Sequence, residues 1–113
     1  MRCERLDVWK RSCRLSVEVY RNFAESKDFG FKDQITRSSL SIPGNIAEGL
    51  EKESDKEKVR YIEIARGSSA ELITQIYIGI EIGYIEKTIG IKWTEELEEL
   101  SKMMSGLKKN YAK

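Results

Sequence analysis

Histidine is missing altogether from the 113 residues. With it go the commonest general base, the usual partner of a serine or cysteine nucleophile and the most frequent metal ligand. Two cysteines, Cys3 and Cys13, are too few for a disulfide framework or a zinc site and read as reduced thiols. A single proline, Pro43, and few turn dipeptides point to an all-α chain. No apolar run reaches the roughly 18 residues of a membrane span, and no signal-peptide pattern opens the chain, so a cytoplasmic protein with no membrane partner is expected. No GxxxxGK[ST] phosphate loop occurs. Ser38, Ser39, Ser68 and Ser69 have no histidine to activate them. Glu48, Glu63 and Glu71 lack the Glu-x-x-His pairs of a di-metal carboxylate site. The expectation is a non-enzymatic protein with no catalytic residue, no metal and no cofactor.

What is present is one domain's worth of chain, a single unit spanning residues 1–113. Charged residues make up 35% of it, and the two signs nearly cancel at net +1. Their distribution is uneven. Residues 1–27 carry seven basic and four acidic groups, residues 28–86 seven and eleven, residues 87–113 six and four. The two ends are basic and the middle is acidic.

Taken in order, apolar spacing predicts a first helix over about Glu4 to Glu25. It has two adjacent stripes, Leu6, Trp9, Cys13, Val17, Tyr20 and Ala24 beside Val8, Leu15, Val19 and Phe23. Together they are wider than a lone bundle needs, which suggests a second contact. The opposite face carries Lys10, Arg11, Arg14 and Arg21, with Lys10, Arg14 and Arg21 on one line. Phe29 and Phe31 are expected to close the bundle end around the turn at Asp28 and Gly30.

A second helix is predicted over Phe31 to Leu50, with Phe31, Ile35, Ile42 and Ile46 inward and a kink at Pro43. Gln34, Arg37, Ser41, Asn45 and Glu48 run beside the apolar line as a polar seam suited to internal hydrogen bonding. Ser54 and Glu57 fit a capping box opening a third helix that runs to Ile85. Its core stripe is Val59, Ile62, Ile73, Ile76, Tyr77, Ile80 and Tyr84. On roughly the opposite side Ile64, Ser68, Glu71, Gln75, Ile78, Ile82 and Ile85 repeat with alternating spacings of four and three, a heptad seam. A helix apolar on two sides cannot satisfy both in a simple bundle, so this seam is expected to pack on another copy of the chain. Residues 86–93 read as a connection. Thr94 reads as the cap of a fourth helix, with Leu97, Leu100, Met104, Leu107 and Tyr111 inward and Lys102, Lys108, Lys109 and Lys113 toward its end.

DVWKRS near the start, QITRSSLSIPGNIAEG from Gln34, YIEIARGSSAELITQ from Tyr61 and the IGYI after Gly79 resemble the four-helix bundle proteins encoded in intervening sequences of bacterial 23S rRNA genes. The accessory variability determinant of diversity-generating retroelements is similar to these. The resemblance spans nearly the whole chain. It implies an antiparallel up-and-down four-helix bundle assembling as a ring-like homopentamer. It also implies an accessory or scaffold protein associated with RNA or a nucleic-acid-processing protein. On that reading Lys10, Arg11, Arg14, Arg21, Lys108 and Lys109 are the candidate phosphate contacts. The alternatives are a protein–protein adaptor that binds no nucleic acid and an accessory subunit of a retroelement reverse transcriptase.

Overall fold

The structure, a computed structural model, describes residues 1–112; the basic contribution expected of Lys113 lies outside them. A short 3-10 turn, Arg2–Arg5, precedes four helices: α1 (Asp7–Asn22), α2 (Phe29–Leu50), α3 (Asp55–Glu81) and α4 (Lys87–Lys109). Each helix packs on the next and α1 closes on α4, in a bundle measuring 44 × 22 × 20 Å. Side-chain contacts fix the directions. Ser38 and Ser41 of α2 meet Glu71 and Ser68 of α3, while Arg11 and Glu18 of α1 meet Glu96 and Trp93 of α4. Rising numbers on one helix face falling numbers on its neighbour, so neighbours are antiparallel.

Local chemistry sets the ends. Asp28 accepts the backbone N–H of Phe31 at 3.1 Å and opens α2. Ser54 accepts the N–H of Glu57 at 3.1 Å and opens α3, while the Glu57 carboxylate turns to Arg60. α3 stops at Glu81 rather than Ile85 because Gly83 takes φ +81°. Tyr84 N–H then reaches back to Gly79 O (2.8 Å) and Gly83 N–H to Ile80 O (3.1 Å), which satisfies the last carbonyls.

The fourth helix starts at Lys87, not at Thr94. Glu86 is its cap, its carboxylate accepting the N–H groups of Thr88 and Ile89. Thr94 lies inside, donating its hydroxyl to Gly90 O at 2.9 Å. Gly90 is no turn: Ile80 lies so close over it that a side chain would not fit. At the other end the first helix is shorter than expected, since Leu6 is extended and separates the 3-10 turn from α1. That turn is tied to the end of α2. The Arg2 N–H donates to Glu51 Oε2 and its guanidinium to Leu50 O, with Cys3 fully buried beneath.

The core takes Val8, Leu15, Val19 and Phe23 from α1, and Ile35, Ile42, Ile46 and Leu50 from α2. It adds Ile62, Ala65, Leu72 and Ile76 from α3, and Trp93, Leu97, Leu100 and Met104 from α4. Each fully buried Leu or Ile is worth about 1.5–3 kcal/mol of apolar transfer. Of the two α1 stripes, the narrower one is the core; in the other, Trp9 and Cys13 are half-buried and Val17 and Tyr20 are exposed. Tyr77 and Tyr84 are also exposed, correcting their assignment to the core stripe of α3, whereas Ile85, expected at the end of the outward seam, lies past the end of α3 and is buried against Gly79 and Gly90. A phenol needs a partner for its hydroxyl, and Tyr84 donates its own to Asp28 Oδ2 at 2.8 Å. Phe31 closes that end of the bundle, ringed by Phe23 and Tyr84, whereas Phe29 projects outward at 70% exposure.

Candidate interaction surfaces

Several polar groups inside the bundle are paired, although Ser69 Oγ is buried with no partner among the described residues. Ser16 and Ser39 share a buried hydroxyl–hydroxyl bond of 2.9 Å between α1 and α2. Lys58 is 8% exposed and points its ammonium at the carbonyls of Lys52 and Glu53, with the Tyr111 ring 5.7 Å away. Burial pushes both thiols, Cys3 and Cys13, above their ordinary range, so neither is a ready nucleophile. Among the described residues no three of His, Cys, Asp and Glu stand close enough together to hold a metal ion.

The six candidate phosphate contacts divide. Arg11 is committed: its Nη2 and Nε donate to the two carboxylate oxygens of Glu96 at 2.6 and 2.9 Å. That grip holds the Glu96 carboxyl below its usual range and raises Arg11 further. Lys108 sits 3.1 Å from Glu63, which Arg66 also holds at 2.8 Å; these bonds, Arg66 first, lower the Glu63 carboxyl. Lys10, Arg14, Arg21 and Lys109 are exposed and have no carboxylate within ion-pair distance among the described residues. On α2, α3 and the connection between them, by contrast, Arg37, Lys52, Arg60 and Arg66 each pair with an acid three or four positions earlier.

The polar seam of α2 meets the heptad seam of α3. Ser38 Oγ lies 2.6 Å from Glu71 Oε1, Ser41 Oγ lies 2.8 Å from Ser68 Oγ, and Asn45 Nδ2 donates to Ser41 Oγ at 2.9 Å. Gln34 and Arg37 border a shallow cleft of 360 Å³ over this network. Arg37 and Glu48 face outward to Asp33 and Lys52 and take no part in it. Ser38, placed in the apolar line by its spacing, is the member the sequence reading missed. Beyond the network the α3 seam is apolar and bare: Ile64, Ile78 and Ile82 are 39%, 44% and 51% exposed. Gln75 lies in the same seam, and its Oε1 is buried without a hydrogen-bond partner among the described residues.

A second apolar surface lies between α1 and α2. Cys13, Ser16, Val17, Tyr20, Leu40 and Pro43 line an open groove of 370 Å³ that is almost wholly apolar, with Arg21 on its rim. Val17 and Tyr20 belong to the outer α1 stripe. Leu40 lies off the α2 apolar line, and its isolation among serines was the available signal.

Two mid-helix glycines accompany these surfaces. A side chain at Gly44 or Gly67 would meet nothing within 4 Å. Gly in a helix interior costs about 1 kcal/mol against Ala, and nothing in the described chain makes use of these two.

The molecule is thus a four-helix bundle with a closed core and two apolar surfaces left uncovered. The model of the 23S rRNA-intervening sequence protein family matches residues 4–106, and the chain belongs to that family. A crystal structure of a Bacteroides thetaiotaomicron protein of unknown function, from the S23 ribosomal protein family, is similar in fold. It has a TM-score of 0.83 and 24% sequence identity, covering 90% of this chain and 98% of that one. No curated protein matches the chain. No described helix is long and apolar enough to cross a membrane.

Proposed function

We propose that the protein is a non-enzymatic self-assembling bundle, forming a ring-like homopentamer that serves as an RNA- or nucleoprotein-associated scaffold. The observation that carries the reading is the α3 seam: three isoleucines exposed on a bundle whose core is already full. An exposed apolar patch beside a saturated polar network marks a contact surface. A bend in α2 at Pro43 would shape the neighbouring groove.

Assembly is tested by light scattering on the wild type and on Ile78→Lys. Wild type is expected as an oligomer of five chains and the variant as a monomer; a monomeric wild type overturns the reading.

The nucleic-acid part rests on Lys10, Arg14 and Arg21, a line of exposed cations with no acid in ion-pair range among the described residues. Net charge per chain is only +1, so affinity would come from repeating this line around the ring. Reversing Lys10 and Arg14, which do not line the apolar groove, is expected to abolish salt-sensitive RNA binding while leaving the oligomer intact. If the wild type binds no RNA at low salt, the adaptor reading replaces it. A retroelement reverse transcriptase that co-purifies with the wild type and is lost from the double variant would favour the accessory-subunit reading.

A further inference from the structure

We infer that the two uncovered apolar surfaces are each other's partners: the isoleucine ridge of α3 in one copy, Ile78 and Ile82, seats in the α1–α2 groove of the next, against Val17, Tyr20 and Leu40. This rests on the self-assembly reading above and names the surface that the α3 seam meets.

Four observations carry it. One surface is a line of exposed isoleucines on a helix and the other an open groove, and both are apolar. The groove rim carries Arg21, a cation with no acid in ion-pair range, and the ridge carries Glu81, an exposed acid with no cation in range among the described residues. The groove's α1 wall lies in a net basic segment while its α2 wall shares the net acidic segment of the ridge, so any charge attraction falls on the α1 side, where Arg21 stands. Each surface also has an open glycine. Gly44 is one turn from Leu40, and Gly67 stands about three turns before Ile78 on nearly the same side of α3. With no side chain there, the backbones of two copies can approach closely.

The geometry also decides the kind of assembly. Ridge and groove are different surfaces, so the contact is head-to-tail, and repetition gives a closed ring or an open filament rather than a two-fold dimer.

The test uses two surface variants of the full chain, Leu40→Glu in the groove and Ile82→Lys on the ridge. Both residues are more than half exposed, and circular dichroism checks that each variant folds. Each alone is expected to sediment as a monomer. Mixed, they are expected to form a one-to-one dimer that grows no further, because one good ridge and one good groove remain. Cys13, in the groove, is expected to react with a thiol reagent at least tenfold faster in Ile82→Lys than in wild type. If Leu40→Glu assembles like wild type while Ile82→Lys does not, the groove is not the partner and self-assembly stands by another surface. If both are monomers and the mixture stays monomeric, the pairing is overturned. A monomeric wild type overturns the assembly reading itself.

Discussion

Arg11 holds Glu96 from two sides across the α1–α4 interface, at 2.6 and 2.9 Å, with both side chains less than a third exposed. The pair removes one of the basic residues of α1 from any role at the surface. It also acts as a clamp between the first and last helices. Fork-on-fork geometry makes this pair stronger than an ordinary surface bridge.

Glu96→Gln is therefore expected to cost about 1 kcal/mol near neutral pH, read from urea unfolding. The pH dependence follows from the direction of the shift. The folded Glu96 carboxyl titrates below its unfolded value. Its contribution is thus complete above the ordinary glutamate range and is lost as pH falls through the folded value. The stability gap between wild type and Glu96→Gln should narrow steadily as pH falls below the ordinary glutamate range. A gap that stays constant would mean the clamp is not ionic.

Lys58→Met is expected to destabilise by about 2 kcal/mol although it keeps the aliphatic stem. The ammonium serves the carbonyls of Lys52 and Glu53 in the α2–α3 connection, and removal leaves them without that donor. A denaturation midpoint unchanged from wild type would assign the connection's stability to packing alone.

The glycines separate by sign. Gly79→Ala places a carbon 2.6 Å from Ile85 Cδ1, and Ile85 is too buried to withdraw. The expected cost is about 1–3 kcal/mol. Gly67→Ala meets nothing within the chain. In the Ile82→Lys background it is expected to stabilise by about 0.5–1 kcal/mol through helix propensity. In the wild-type background it is expected to weaken assembly. Thermal melts and sedimentation on the same four variants read both effects.

Gly83→Ala tests the end of α3. At φ +81° an L side chain is strained, and the expected loss is about 1 kcal/mol, visible as a lower melting temperature. Gly83→Asn, which tolerates this conformation better, is expected to recover part of it.

Much of the fold is legible in residue order because helix periodicity is a local signal. The lines Ile35–Ile42–Ile46 and Leu97–Leu100–Met104 are buried as their spacing predicts. The start of α4 was not legible. Glu86 is an uncommon cap, and Gly90 resembles a breaker when its reason is the side chain of Ile80. The interaction surfaces were half legible. The α3 seam repeats at heptad spacing, but the groove needs α1 and α2 side by side, and Leu40 has no periodic partner. Nor can spacing reveal that Arg11 and Lys108 are spent on Glu96 and Glu63, which come from other helices.

The hydroxyl chain along α2 and α3 has a further implication. Ser38, Ser41, Asn45, Ser68 and Glu71 spend their hydrogen bonds on one another. A body settling there must still answer the exposed Glu71 carboxylate, whose second oxygen has no partner among the described residues. Along the serines contour can choose what fits, while that one carboxylate fixes where a neighbour's donor has to stand.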